Sequence, residues 1–459
     1  MRPDTPALDV QAFINREPFS RYQWLIFALC FFVVLLDGFD TAAIGFIAPS
    51  LLKDWGIAKP DLAPVLSAAL FGLAAGALTS GPLADRYGRR KILLLSVLVM
   101  GVACLGSAFA GNLQELTILR FLTGLGLGAA MPNAVTLTSE YSPAARRAML
   151  TNAMFCGFPL GAALGGFLAA WMIPLWGWRS VLMLGGAAPL LLLLVMLPSL
   201  PESVRHMVAK GYAAERIGAV LRRISSSAAA FNRFTLTETG PQGEAPTGKS
   251  GIALLFEPRY LVGTCMLWLA YFMGLVIFYA LVNWMPVLFK DAGLAPKTAT
   301  LIAALFPLGG VGAILFGWLM DRYNANRVIA IGFAATAVAV FAIGQAAGNV
   351  GVLTVVVFVA GTLMNTAQSS LPALAAAYYP TRGRATGVAW MLGVGRFGGI
   401  AGSFLVAELT RRQLGFSEVF AVVAVAALVS TVALLVKQAS DRNRPDGGRP
   451  LMVADAGAH

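Results

Sequence analysis

Apolar and polar residues fall along this chain in long blocks, not at strand or surface-helix spacing. Twelve apolar runs cover approximately residues 24–50, 61–84, 91–110, 114–138, 146–171, 177–198, 259–286, 297–320, 327–346, 350–376, 384–408 and 416–437. Each is long enough to cross a hydrocarbon layer of about 30 Å as a helix rising about 1.5 Å per residue. The pattern predicts an all-α membrane protein with twelve transmembrane helices in two pseudo-symmetric bundles of six. The expected organisation is an N-terminal tail 1–23, a first bundle 24–198, a linker 199–258, a second bundle 259–437 and a C-terminal tail 438–459. The linker opens on Leu200-Pro201-Glu202-Ser203-Val204-Arg205, which suits an amphipathic helix on the membrane surface. From Thr237 to Ser250 it turns Gly/Pro/Thr-rich, as a flexible connection would.

The two bundles repeat one another. Gly81-Pro-Leu-Ala-Asp85-Arg86-Tyr87 recurs as Gly317-Trp-Leu-Met-Asp321-Arg322-Tyr323, an offset of 236. The fifth run, from Pro143, recurs as the eleventh, from Pro380, at an offset of 237; Gly161, Gly165 and Phe167 match Gly398, Gly402 and Phe404. In the opening run, Gly38 matches Gly274. Two six-span repeats are the architecture of a transporter that rocks about a site near the midplane.

Charges inside the apolar runs break this symmetry. The first run, Trp24 to Leu52, is interrupted by Asp37-Gly38-Phe39-Asp40. A charge at that depth costs at least ~2.5 kcal/mol on insertion scales. The two aspartates are three apart and share a helix face, so they should look at a cavity or a basic partner. The plainer reading is a structural pair in a helix interface. At the offsets above, Asp37 and Asp40 match Met273 and Val276, Arg120 matches Val357, Glu140 matches Ala377 and Arg396 matches Pro159. A scaffold residue belongs in both repeats, whereas a substrate or coupling residue need not.

Depth along the helices puts Arg120 level with Asp40 and Arg396 near the midplane. A guanidinium keeps a neighbouring carboxylate ionised; once it turns to an anionic substrate, the carboxylate can take a proton. Its planar fork also suits a substrate carboxylate. Against this stands a static salt bridge for Arg120, and for Arg396 the same or a packing role between glycines. Asn152, Tyr271, Tyr279, Asn283, Asn365 and Gln368 are candidate partners for ring hydroxyls. Phe155, Phe158, Trp390 and Phe397 could stack on a ring. Each of these also fits interhelical packing. The loop with Gly81, Asp85, Arg86, Arg89 and Arg90, together with Glu140, Arg146, Arg147 and the repeat at Asp321 and Arg322, is expected to form a cytoplasmic gate of charge pairs.

Composition agrees. The 459 residues are 58% hydrophobic and 12% charged, with mean hydropathy +0.74. The net charge of +12 would suit a nucleic-acid partner, but its placement argues otherwise. With the N-terminus in the cytoplasm, 25 of the 34 Lys and Arg fall on the cytoplasmic side, seven fall outside and two lie within spans. That is the positive-inside asymmetry, and it predicts two cytoplasmic termini. The first run is too long for a cleaved signal peptide. Cys30, Cys104, Cys156 and Cys265 all lie in apolar runs and read as small buried side chains. His206 and His459 lie outside the spans, so no catalytic constellation and no metal site is expected.

GPLADRYGRRK, from Gly81, fills every position of the loop signature of the major facilitator superfamily, which the chain resembles over nearly its whole length. Asp37-Gly-Phe-Asp40, RFLTGLGLGAAMPNA from Arg120 and GRATGVAWMLGVGRFG from Gly383 are similar to the aromatic acid:proton symporter branch. The head LDVQAFINREPFSRYQW and the segment YFMGLVI at Tyr271 resemble 4-hydroxybenzoate/protocatechuate permeases. The second loop departs from the signature, with Asn324 and Ala325 where Gly and Arg would stand. The resemblance implies proton-coupled import of a small aromatic carboxylate by alternating access. Asp37, Asp40, Arg120 and Asp85 are then functional, with Gly81 beside the last. It also implies a monomer in a bacterial inner-membrane bilayer, with the proton as coupling ion and no cofactor. Rival readings are a permease or exchanger for another organic anion, a sugar permease, and a transporter with a second, chemosensory role.

Overall fold

The computed structural model describes residues 7–236, 252–312, 323–379 and 381–442. The helices of the first half are α1 (Val10–Arg16), α2 (Arg21–Trp55), α3 (Leu62–Tyr87), α4 (Arg89–Ser107), α5 (Leu113–Glu140), α6 (Arg147–Phe155), α7 (Gly157–Trp176), α8 (Arg179–Ser199), α9 (Val204–Ala209) and α10 (Ala214–Ile224). The remainder are α11 (Ile252–Leu255), α12 (Pro258–Asp291), α13 (Pro296–Leu308), α14 (Ala325–Gln345), α15 (Val350–Tyr378), α16 (Thr381–Arg411) and α17 (Phe416–Arg442). Among the described residues, eleven helices are long and apolar enough to cross a membrane, and the shorter α13 stands where the eighth span was expected. The fifth span is broken at Cys156 into α6 and α7.

Local chemistry sets the helix ends. α2 begins at Ser20, whose hydroxyl accepts from the Gln23 backbone N–H while the Gln23 side chain accepts from the Ser20 N–H. It ends at Gly56, with φ +62°. Asn112 caps α5 by accepting from the Glu115 N–H through its side-chain oxygen. The outward faces carry Val102, Phe109, Leu191, Ile331 and Val338, all more than half exposed, as a lipid-facing surface requires.

Two compact units separate: Met1–Glu244 with Ala280–Val311 and Ser403–Phe416, and Ala245–Tyr279 with Gly312–Gly402 and Ser417–His459. In the first, α3 packs on α5, α2 on α7, α4 on α5 and α8, and α13 on α7. At the end opposite the basic loops, Lys59 pairs with Asp291 at 2.5 Å. There Lys290 also donates to the Pro49 carbonyl and Trp178 Nε1 to Asp54. In the second unit, α14 packs on α15. Lys437 donates to Asn326 and Asp441 and lies 4.4 Å from the Tyr378 ring centroid.

The ends of the first half are not loose. Val10, Phe13 and Ile14 of α1, Val204 and Met207 of α9 and Ile217, Leu221 and Ile224 of α10 are buried in one cluster with Ile26, Leu137, Tyr141 and Met196. Residues 7–23 and the early linker therefore form a cap on the basic end of the bundle. α10 puts its apolar face into this cluster instead of onto a membrane surface. Gln23 donates to the Tyr141 carbonyl, Asn15 accepts from the Ala144 N–H, and Arg205 donates to Gln11. The strands β1 (Leu8–Asp9) and β2 (Phe234–Thr235) pair in parallel. The flexible stretch expected over 237–250 lies outside the described residues.

Close helix crossings set the register of the repeat. A Cβ on Gly161 would strike the Leu35 carbonyl, and one on Gly398 the Phe272 carbonyl. Gly165 faces Phe39 as Gly402 faces Val276. Leu35 and Phe272, Phe39 and Val276, and the two glycine pairs all stand 237 apart. The opening spans are thus matched one residue differently from the 236 read off Gly38 and Gly274. The counterpart of Asp37 is Gly274, and that of Asp40 is Ile277. Neither is charged, so the broken symmetry stands.

Candidate coupling and substrate site

Asp40 and Arg120 meet. Arg120 donates to Asp40 Oδ1 at 2.9 Å and to Oδ2 at 2.6 Å, and a further N–H reaches the Asp40 carbonyl at 3.3 Å. The two side chains are 1% and 0% exposed. α2 and α5 bring them to one depth. A pair so far from water needs such two-pronged geometry, because desolvation otherwise outweighs the attraction. Arg120 Nε is buried with no hydrogen-bond partner among the described residues. Asp37, one helical turn earlier, is also buried and accepts from Thr41 Oγ1 at 3.3 Å. A third side chain, missed in the sequence, joins the pair: Cys104 Sγ lies 3.0 Å from Asp40 Oδ1. Its spacing from other polar residues carries no signal, since α4 is apolar throughout its middle.

Arg396 stands differently. It is half-buried on α16, and among the described residues it has no ion-pair partner. Tyr271 lies within its electrostatic reach and beside the Gln368 side chain. A Cβ on Gly395 would enter the Tyr271 ring, so the ring lies against bare backbone next to Arg396. Gln368 Nε2 donates to the Tyr271 carbonyl at 3.3 Å, while its Oε1 is buried against Gly274 without a hydrogen-bond donor among the described residues. α12, α15 and α16 thus assemble Tyr271, Gln368 and Arg396, all three within the second unit.

Several other candidates are engaged by neighbouring helices or by their own. Tyr279 is buried with its ring over Gly399. Asn283 is buried and donates to Ser403 Oγ at 2.9 Å. Asn365 donates to the Gly361 carbonyl of its own helix. Trp390 stacks on Trp268, with centroids 5.9 Å apart and planes at 12°. Phe158 is half-buried, and its carbonyl abuts Gly38. Phe155 and Phe397 are exposed. Asn152 lies on α6, its side chain outside the described residues.

At the basic end, the expected charge pairs are rearranged. Asp85, with a side chain 70% exposed, pairs with Arg89 at 2.8 Å, and Arg86 lies over the Tyr87 ring. Glu140 accepts from Ser203 Oγ, whereas Arg147 Nε donates to the Ser139 carbonyl. Arg90 donates to the Leu197 and Leu200 carbonyls, and its own N–H donates to Glu202. Gly88, at φ +103°, leaves the space that the Glu202 carboxylate fills. Glu202 and Ser203 are therefore the anchors that sequence reasoning assigned only to a linker. Gly81 has open space around it. Asp321 and Arg322 lie outside the described residues.

The model of the Major Facilitator Superfamily matches residues 30–315 and 267–454. The chain belongs to that superfamily. Among its superfamily relatives, a 4-hydroxybenzoate transporter, PcaK, of Pseudomonas putida is 50% identical over 94% of this chain and 96% of its own. A gallate transporter of Pseudomonas putida is 47% identical over 94% and 95%. Among solved structures, the partially occluded inward-open xylose transporter XylE from E. coli matches with TM-score 0.68 at 18% identity, over 90% of this chain and 97% of that one. At that identity the likeness concerns the fold alone. A major facilitator fold makes this chain a multi-pass membrane transporter and not an enzyme.

Proposed function

We propose that this transporter imports a hydroxylated aromatic carboxylate together with protons, by alternating access across a bacterial inner membrane, with both termini cytoplasmic. The observation that carries the reading is the unequal state of the two intramembrane arginines. Arg120 is saturated by Asp40, whereas Arg396 has no ion pair among the described residues and sits beside the Tyr271 ring. A half-buried guanidinium next to an aromatic shelf suits a benzoate: the fork takes the carboxylate and the ring packs on the ring. The relatives transporting 4-hydroxybenzoate and gallate support that substrate class.

Proton coupling falls to Asp40, with Asp37 a turn away on the same helix. A proton on Asp40 cancels the charge that holds Arg120, which frees the guanidinium to exchange partners. That exchange couples protonation to the packing of α2 against α5. The basic-end contacts of Asp85, Arg90 and Glu202 are expected to remake as the cytoplasmic face opens and closes. The test is uptake by proteoliposomes offered a panel of benzoates under an imposed pH gradient. Accumulation of hydroxybenzoates driven by the gradient is the expected result. Equal exchange of internal for external anion, indifferent to the gradient, would instead make the protein an exchanger.

A further inference from the structure

The first-half ion pair has a third member. Cys104, on α4, is fully buried. Its Sγ lies 3.0 Å from Asp40 Oδ1, 3.5 Å from the Leu182 carbonyl oxygen of α8 and 4.0 Å from an Arg120 N–H nitrogen. A buried thiol is ordinarily a small packing group. This one has a single proton with two acceptors in reach, and one of them is the carboxylate on which coupling turns.

The two protonation states of Asp40 ask for different neighbours. An ionised carboxylate accepts only, and Arg120 and Cys104 both donate to it. A neutral carboxyl carries an O–H that needs an acceptor, and a guanidinium has none to offer. Leaving that O–H buried without a partner is costly. Of the two side chains on the carboxylate, only the thiol has lone pairs. The other charged and ionisable groups on the helices around α2 stand elsewhere. Asp37 is a turn away on α2 and accepts from Thr41. Glu115 caps the start of α5, and Glu140 meets Ser203 at its end. Arg179 begins α8. Asp85, Arg86 and Tyr87 close α3. Arg147 bonds Ser139, Arg223 of α10 bonds Tyr22, and Lys290 and Asp291 meet Pro49 and Lys59. α7 has no ionisable side chain.

We propose that Cys104 is a positioning residue for proton uptake at Asp40. Its S–H donates to Oδ1 of the ionised carboxylate; when Asp40 is neutral, the S–H turns to the Leu182 carbonyl and the sulfur accepts the carboxyl O–H. One proton from the aqueous phase adds to Asp40, and the thiol keeps its own proton throughout. The inference rests on the reading of Asp40 as proton carrier.

The test is uptake of 4-hydroxybenzoate by proteoliposomes across a series of external pH values, for wild type, Cys104→Ser, Cys104→Ala and Cys104→Val. Serine keeps a donor and an acceptor, alanine has neither, and valine fills the volume with neither. The thiol serves the charged form with the stronger bond, so losing it moves the pH of half-maximal uptake by roughly half a unit to the alkaline side. Alanine and valine are expected to show that shift, and serine to follow wild type. A wild-type midpoint in the valine protein overturns the proposal, as does a serine protein that shifts with alanine. A wild type indifferent to the proton gradient overturns the reading of Asp40 as well, so the two failures are distinguishable.

Discussion

The two intramembrane arginines occupy opposite situations in one repeated fold. Arg120 is sealed, its guanidinium divided between both oxygens of a carboxylate that water does not reach. Arg396 is half-buried, set between glycines, with a tyrosine ring at hand and no ion pair among the described residues. At the register that the helix crossings set, the position holding Asp37 in the first half holds Gly274 in the second, and the Gln368 amide rests against it. One half keeps its compensating acid inside the chain. On the proposed reading, the other leaves room for the acid of the substrate, and the repeated scaffold then separates the coupling ion from the cargo without building two folds.

Removing Asp40 should break this contrast most severely. Asp40→Asn leaves Arg120 buried without its counter-charge, and loss of one partner of a buried pair costs about 3–5 kcal/mol. Thermal unfolding in detergent should show that loss, and gradient-driven uptake should vanish. The double variant Asp40→Asn with Arg120→Gln removes both charges, so it should regain most of the stability without regaining uptake. A double variant as unstable as the single one would mean that the cost lies in packing and not in charge.

The next effect tests the other arginine. Arg396→Lys keeps the charge and loses the planar fork. Charged hydrogen bonds are worth about 1.5–3 kcal/mol, so benzoate binding should weaken by about one to two orders of magnitude. Its stability should change little, in contrast to the first half. Binding of a benzoate against its uncharged amide, in wild type and Arg396→Gln, gives the sharper reading. If the variant keeps the full preference for the acid, Arg396 is not the carboxylate clamp.

Two smaller effects compare scaffold with scaffold. Gly161→Ala and Gly398→Ala each push a methyl into a backbone carbonyl at equivalent crossings. Overpacking of this kind costs about 1–3 kcal/mol, and the two variants should lose similar stability and transport rate. At the basic end, Asp85→Asn removes an exposed pair and should alter stability by less than about 1 kcal/mol. Glu202→Gln disturbs the half-buried contacts at Gly88 and Arg90 and should cost more. Cysteine accessibility of the cytoplasmic cavity reports whether either variant shifts the resting state.

The spans were legible because a bilayer forces apolar runs of fixed length, and a charge inside such a run stands out. The meeting of Asp40 with Arg120 followed from counting residues to equal depth. Cys104 was not legible, since a thiol in an apolar helix looks like any small side chain until a carboxylate is found beside it. Glu202 and Ser203 sat in a stretch that read as linker, because capping another element's end leaves no periodicity of its own. The register of the opening spans was off by one for a similar reason. A single glycine match cannot compete with a pattern of crossings that only three dimensions display. The burial of Tyr279 and Asn283 by neighbouring helices left no sign in the sequence.

The short pairing of Leu8–Asp9 with Phe234–Thr235 has a consequence for the order of synthesis. β1 leaves the ribosome before the spans of the first half, and β2 follows only when all six of them are already made. The seam between them cannot form earlier. Until then the apolar side of α1 lacks the α9 and α10 residues that complete its cluster. The last contact of the cap is therefore a timing mark. It can close only once the first bundle has been translated.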